Sequence, residues 1–306
     1  MSEQNKVLPD QKKIDSRKIG YITLALSVLF LSASPILLRL SSASGLITTF
    51  YRMLLTSFFF APFFVKSNCD AKTCGKPELK WKNILLSAAA GVLSSFDYSL
   101  WAIALGKTSV SNATVLNSIS PVWITLLALI FLHEKFKGKF WLGLTAVIAG
   151  VFFMGGATKA IFTSGFSQGD EISILSSVFY AGYMILTQIS RRNISAIQHM
   201  WIAMTACAVS MGCLVFLSHI PFFGYDKRAV LIFFLSAFIC QICGYYCMTT
   251  ALGSLPASVV GPTIEIQPVI SSFLAVWLLH EKFLPNQMIG CGLIILGVVL
   301  INRSKV

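Results

Sequence analysis

Residues 121–150 read PVWITLLALIFLHEKFKGKFWLGLTAVIAG, and residues 268–297 read PVISSFLAVWLLHEKFLPNQMIGCGLIILG. The offset is 147 residues, and no gap is needed over the whole block from Tyr98 to Phe153. Each copy reads as the end of one apolar helix, a second apolar helix interrupted by proline, a short charged turn and a third helix. Since an internal repeat fixes architecture, the chain is predicted to be a duplication of one hydrophobic unit. Further matches join Tyr98 to Tyr245, Ala104-Leu105-Gly106 to Ala251-Leu252-Gly253, and Gly143 and Gly150 to Gly290 and Gly297.

The composition excludes a water-soluble globular protein. Of 306 residues, 56% are hydrophobic and 12% are charged, and the mean hydropathy is +0.76, whereas a soluble domain carries about 25% charged residues. The net charge of +12 could suggest nucleic acid. The lysines and arginines nevertheless lie in short segments between apolar runs, which is the distribution of a membrane protein. The lipid bilayer is therefore the predicted environment, and no nucleic-acid partner is expected.

The apolar runs predict an all-α integral membrane protein with ten transmembrane helices. A spanning helix needs about 20 apolar residues. The first run continues beyond a sequence that resembles a signal-peptide cleavage site, so it is interpreted as an uncleaved helix. The predicted spans are 19–40, 46–65, 83–105, 109–132, 140–157, 171–190, 197–218, 229–251, 257–280 and 286–302.

The charges in the connecting segments predict the orientation. With the N-terminus in the cytoplasm, seventeen lysines and arginines lie in the inner segments and five in the outer ones. The positive-inside rule then places both termini in the cytoplasm, with a bacterial plasma (inner) membrane as the expected location.

Each copy contains an odd number of predicted helices, which determines how the second copy is oriented in the membrane. The second five-helix copy enters the membrane upside down, so Glu134 and its equivalent Glu281 are expected on opposite faces. Inverted repeats are a recurrent architecture of secondary transporters, with the substrate site near the midplane between the repeats. The His-Glu-Lys turns around these residues are interpreted as helix caps and local charges rather than as catalytic groups.

The duplicated Ala-Leu-Gly, proline helix, Leu-His-Glu-Lys-Phe and glycine pattern resembles the EamA family of the drug/metabolite transporter superfamily. The resemblance runs from Ile19 to Asn302. It implies two inverted five-helix repeats around a central cavity, at 19–157 and 171–303, with a tail at 1–18 and a connecting loop at 158–170. It also implies the transport of amino acids, nucleotides, their derivatives or other metabolites. Many members carry an acid directly before the proline of the ninth helix, where this chain has Gln267, with Glu265 two residues earlier.

Ionisable residues inside a span are functional candidates because their burial in lipid is costly. Asp97 and Glu265 are the two acids of this kind, and neither is required by the repeat, since the 147-residue offset pairs them with Gly244 and Ser118. One interpretation is that they bind a cationic substrate group or take up a coupling proton. The other is that they pair with Arg39 or Arg52 to neutralise a structural charge.

Other polar and aromatic side chains extend the candidate site. Arg52 either anchors a carboxylate or phosphate or reaches the interface. Polar stripes on the fourth and eighth spans either line a cavity or bond neighbouring helices, and aromatic rings either stack on a solute or pack. The remaining candidates are Tyr98, Trp101, Thr114, Asn117, Gln241 and Tyr245.

The sequence therefore predicts a secondary active transporter for a small metabolite, an amino acid or a related amine-bearing or nucleoside-like solute. A coupling proton or a counter-substrate is a further predicted partner. No cofactor, metal or catalytic residue is expected, and no phosphate-binding loop for ATP is present. A passive channel and an integral-membrane enzyme are the alternatives.

Overall fold

The structure is a computed structural model that describes residues 9–73, 79–108, 110–155, 167–279 and 285–304. All regular secondary structure in these ranges is helical. The α-helices are α1 (Pro9–Leu31), α2 (Ser34–Leu40), α3 (Gly45–Thr73), α4 (Trp81–Leu105), α5 (Val110–Asn117), α6 (Ser120–Leu132), α7 (Gly138–Gly155), α8 (Gln168–Arg191), α9 (Ala196–Leu217), α10 (Lys227–Leu235), α11 (Tyr246–Ala251), α12 (Ala257–Ile264), α13 (Gln267–Leu279) and α14 (Pro285–Ser304), and a π-helix (Ser236–Tyr245) joins α10 to α11.

Eight stretches of the described chain are long and apolar enough to cross a membrane, and Gly138–Met154 is a shorter apolar helix. Nine of the ten predicted spans correspond to these elements. The remaining span, the ninth in chain order at 257–280, is present as the two helices α12 and α13. The first predicted span also differs, because its helix begins at Pro9 and breaks at Ser32-Ala33 before α2.

The repeated spans around Pro121 and Pro268 are both broken, and at equivalent residues. Turns at Ser118-Ile119 and Glu265-Ile266 separate α5 from α6 and α12 from α13. Proline has no backbone N–H and its ring clashes with the preceding helical turn, so it favours a new helix start. The interruption that the sequence predicts at these prolines is therefore present in both copies.

The last helices of the two copies, α7 and α14, pack closely and antiparallel through glycines. A Cβ atom on Gly143 would lie 2.7 Å from the backbone oxygen of Gly297, and one on Gly150 would lie 2.7 Å from that of Gly290. The contact is reciprocal, since the 147-residue offset turns the first pair into the second. Only glycine permits this separation of two helix backbones.

The π-helix is a difference between the copies. Residues 236–245 have π-helical geometry, whereas the equivalent residues 89–98 lie within regular α4. A π-helix inside a longer α-helix is rare and often occurs at a functional site, because it widens the turn and redirects side chains. Here it carries Gln241 and ends at Tyr245.

Candidate functional site

Two equivalent tyrosines meet at the centre of the molecule. The hydroxyl of Tyr98 on α4 donates a hydrogen bond to the hydroxyl of Tyr245, at 2.6 Å. The two residues are 147 positions apart and therefore occupy the same place in the two copies. This contact brings together two of the candidates that the sequence nominates.

Arg52 lies against both tyrosines and is held by neutral groups. Its guanidinium carbon is 5.8 Å from the ring centroid of Tyr98 and 5.5 Å from that of Tyr245. Its Nε donates to Oε1 of Gln241 at 2.8 Å, and one terminal nitrogen donates to Ser34 at 3.2 Å. The side chain is 8% exposed, so it does not reach the interface. These contacts hold a buried cation at the tyrosine pair, where it can receive an anion.

Asp97 is buried beside this cluster and is held by two helices. Oδ1 accepts from the Ser176 hydroxyl of α8 at 2.6 Å and from Nδ2 of Asn117 at 3.5 Å. The amide of Asn117 also donates to Ser176 at 3.0 Å, which closes a three-residue network. Such a network fixes the direction of the carboxyl group, as a binding or proton-accepting group requires.

Glu265 lies in the break between α12 and α13 and is buried. Its carboxyl group faces the hydroxyl groups of Ser118 and Ser120. Ser118 is the residue equivalent to Glu265 in the first copy, and Ser120 begins α6. The acid therefore bridges the two helix breaks and stands at the positive end of the α6 dipole.

Not every predicted candidate joins this arrangement. Trp101 is partly buried on α4, and no hydrogen bond or ring contact recorded for the described residues joins it to the tyrosine pair. Thr114 is exposed on α5. The amide of Gln267, at the position where the family resemblance implies an acid, donates to the backbone oxygen of Leu31 at 2.8 Å. The side chain of Arg39 and the turn His280-Glu281-Lys282 lie outside the described residues.

Sequence reasoning missed the partners supplied by α8. Its hydroxyl residues follow one another at spacings of three and four, which places them on one helical face. A search for hydroxyl periodicity, rather than for charges, would have found them. They are Ser173, Ser176, Tyr180, Tyr183, Thr187 and Ser190.

The site combines a buried cation, two buried acids, two phenols and several amides and hydroxyls. Within the described ranges, no group of three or more His, Cys, Asp or Glu side chains is arranged to hold a metal ion. The arrangement can bind a small solute that carries both charges. It can also hold a proton on either acid.

Comparison with known proteins defines the family. The EamA-like transporter family matches this chain twice, over residues 18–156 and 168–303. An uncharacterized transporter from Clostridium kluyveri is 22% identical over 293 residues, which cover 94% of each chain. The uncharacterized inner membrane transporter YhbE of Escherichia coli K12 is 22% identical over 64% of this chain and 60% of its own.

A solved crystal structure has the same fold. It superposes with a TM-score of 0.74 over 95% of this chain and 98% of its own, at 15% sequence identity. The duplicated family match covers almost all of the sequence. The chain is therefore a multi-pass integral membrane protein that belongs to the EamA-like transporter family.

Proposed function

We propose that this transporter is a secondary active carrier of a small metabolite, an amino acid or a related amine-bearing solute, and works by alternating access. Its ten helices form two inverted five-helix repeats, at 19–157 and 171–303, joined by a loop at 158–170. The tail at 1–18 and the C-terminus lie in the cytoplasm. The name of the YhbE relative supports a bacterial inner membrane as the location.

The contacts between equivalent residues carry this proposal. Two residues related by a two-fold axis can touch only close to that axis, and two such pairs do so: Tyr98 with Tyr245 and Ser118 with Glu265. The equivalent helices α7 and α14 are antiparallel, which supports an axis perpendicular to the helices, in the plane of the membrane. Both pairs include candidate site residues, which supports a substrate site between the two repeats, where inverted-repeat carriers bind their substrates.

The charges at the centre support an amino acid as the substrate class. Arg52 provides a guanidinium for a carboxylate, and Asp97 provides an oriented carboxyl group for an ammonium group. The faces of Tyr98 and Tyr245 hold the arginine between them by cation–π attraction. A solute that carries both charges would neutralise the cation and the anion together.

The same geometry favours a carrier over a passive channel. Side chains from α3, α4 and the π-helix contact one another at the Arg52 cluster, which supports a closed, gated site rather than an open pore. The transporter names of the relatives count against an integral-membrane enzyme, the third alternative.

Transport assays in proteoliposomes test this function. We expect radiolabelled L-amino acids to enter by saturable counterflow, and their uphill uptake to stop when a proton ionophore collapses the pH gradient. Flux that rises linearly with concentration would instead support a channel. Accessibility labelling of Lys135→Cys and Lys282→Cys should place the two loops on opposite faces, and labelling from the same face would contradict the inverted repeat.

A further inference from the structure

The hydroxyl face of α8 runs almost the full thickness of a membrane. From Ser173 to Ser190 it extends about 25 Å at a rise of 1.5 Å per residue, compared with a hydrocarbon core of about 30 Å. Five of its six residues are buried, and Tyr180 is partly buried. A continuous polar face inside a bundle either packs neighbouring helices or lines a hydrated path.

Both ends of this face are tied to α4 through hydroxyl groups. Near one end, Ser176 donates to Asp97. Near the other end, Ser190 and Ser87 are 2.7 Å apart, and the Ser87 oxygen is 3.0 Å from Nδ1 of His199. The face therefore connects the buried acid to a buried histidine at the Arg191 end of α8.

Buried polar atoms between these ends lack partners. Within the described part of the chain, Tyr183 OH, Thr187 Oγ1 and His199 Nε2 have no hydrogen-bond partner within 3.5 Å, and the hydroxyls of Thr187 and Thr249 are the polar groups that lie beside Tyr183. All three side chains have 0% exposure. Leaving such a group without a partner is costly, and native proteins satisfy nearly all of them, often with bound water. Three unsatisfied atoms along one path indicate water in that path.

We propose that the hydroxyl face of α8 is a hydrated proton route that connects the Arg191 end of the helix, past His199, to Asp97. The proton would pass between bound waters and hydroxyl groups and rest on the carboxylate of Asp97. This inference rests on the proposed function, since it assigns the coupling proton of that carrier. Tyr183 also links the route to the substrate site, because its ring centroid is 6.3 Å from that of Tyr245.

The neighbours of both terminal groups are polar or titratable. His199 faces Ser87, Ser190 and the charge of Arg191. The groups that face Asp97 from its own and neighbouring helices are Tyr98, Asn117, Ser176, Tyr180, Cys207 and Tyr245. Arg191 places a positive charge beside His199, so the proton would pass His199 through bound water and the hydroxyls of Ser87 and Ser190 rather than rest on the imidazole ring.

Hydroxyl-radical footprinting of the purified protein in nanodiscs tests the hydration without any substrate. Side chains beside bound water are oxidised. We therefore expect Tyr183, and Met200 whose Sδ lies 3.3 Å from the Thr249 hydroxyl beside Tyr183, to be labelled above the equally buried Met53. Thr187→Val removes one hydroxyl at constant shape and should reduce the labelling of Tyr183. The control is Thr125→Val, whose hydroxyl bonds only the backbone of its own helix, at Pro121. Labelling of Tyr183 no greater than that of Met53, or no change in Thr187→Val, would overturn the proposal.

Two transport measurements test the proton. In Thr187→Val and Tyr183→Phe, we expect uptake of L-amino acids driven by a pH gradient to fall roughly tenfold, as for the loss of a relay hydrogen bond. Counterflow without a gradient should persist. Equal losses of gradient-driven uptake and of counterflow would indicate that Tyr183 and Thr187 have only a structural role, and would overturn the proposed proton route. If no amino acid is transported, the proposed substrate fails, while the footprint still decides whether the path holds water.

Discussion

The two copies of the repeated unit differ at the equivalent residues that meet in the candidate site, whereas their glycine contact between α7 and α14 is the same in both. Tyr98 lies in a regular α-helix, and its equivalent Tyr245 ends a π-helix. Ser118 and Glu265 occupy equivalent helix breaks, but only one of them is an acid. Gly244, the equivalent of Asp97, cannot take a side chain without displacing Leu31, whose Cδ2 would lie 2.8 Å from a Cβ. Each copy of the repeated scaffold therefore carries one buried acid of the candidate site that the other copy lacks.

A substitution at Gly150 is the most direct way to disrupt the contact between the two copies. A leucine there would push α7 away from the backbone of Gly290, and overpacking of this kind costs about 1–3 kcal/mol or more. We expect Gly150→Leu to lower the melting temperature strongly or to prevent accumulation, measured by fluorescence-detected size-exclusion chromatography. Gly292→Leu on α14 is the control, since a Cβ there meets nothing within 4 Å. Equal stability of the two variants would contradict the close contact.

The central cation gives the next largest effect. Arg52→Gln removes a charged donor, and hydrogen bonds to charged groups contribute about 1.5–3 kcal/mol. We expect the apparent affinity for L-amino acids to fall by roughly 10- to 100-fold, measured by counterflow, with normal expression. The apparent affinity of Arg52→Lys should lie between those of Arg52→Gln and the unmodified protein, because lysine keeps the charge but lacks the planar guanidinium. Arg192→Gln, at an exposed position, should resemble the unmodified protein.

The asymmetry of the helix breaks is tested at Glu265 and Ser118. Glu265→Gln keeps the size of the side chain but removes its ability to exchange a proton, so we expect about tenfold slower transport and intact expression. Ser118→Ala should have a smaller effect because Ser120 remains as a partner. Full activity and an unchanged pH profile in Glu265→Gln would remove this acid from the mechanism.

The tyrosine pair tests whether the two copies contribute equally. Phenylalanine at either position keeps the ring beside Arg52 but removes the shared hydrogen bond, worth about 1 kcal/mol. We expect Tyr98→Phe and Tyr245→Phe to weaken transport similarly, by a few-fold. The double variant should cost less than the sum of the two single effects. Additive effects would show that the two hydroxyls act separately.

The smallest expected effect lies outside the membrane spans, at the start of α10. Asp226 caps this helix by accepting from the backbone N–H of Ala229 at 3.3 Å, whereas α4, its equivalent, begins without a side-chain cap. The Ser42 hydroxyl, which donates to Asp226 at 2.6 Å, lowers the pKa of Asp226. A lowered pKa in the folded state stabilises the protein above the unfolded pKa of about 4, and this contribution disappears as the pH falls through the folded value.

Melting curves at several pH values measure this contribution. Asp226→Asn should lower the melting temperature slightly near neutral pH, and the difference from the unmodified protein should shrink in acid. A difference that persists unchanged in acid would mean that the charge of Asp226 plays no part.

Much of the architecture was predictable because it is written twice. The 147-residue offset, the apolar runs and the repeated prolines predicted the helices and their breaks at Pro121 and Pro268. Polar and aromatic residues inside the spans pointed to Arg52, Tyr98, Gln241 and Tyr245, which contact one another in the structure. Charge inside an apolar span correctly marked Arg52, Asp97 and Glu265 as buried groups.

The features that the sequence did not predict depend on the direction in which side chains point, rather than on residue type. Helical spacing placed Trp101 and Thr114 with the site, but the packing leaves Thr114 exposed. The π-helix has no local signature, because the same residues could form an α-helix with little difference in propensity. The hydroxyl face of α8 was missed because serine and threonine are common in membrane helices and carry no charge.

The glycine contact between α7 and α14 has an evolutionary consequence. Each pair joins one copy to the other, so a substitution at Gly143 is tolerated only if the facing backbone at Gly297 can retreat, and the same holds for Gly150 and Gly290. Descendants of the duplicated gene are therefore free to diverge over most of their length but must change in concert along this seam. Sequence identity between the two halves should therefore persist at these glycines, whichever solute a given descendant transports.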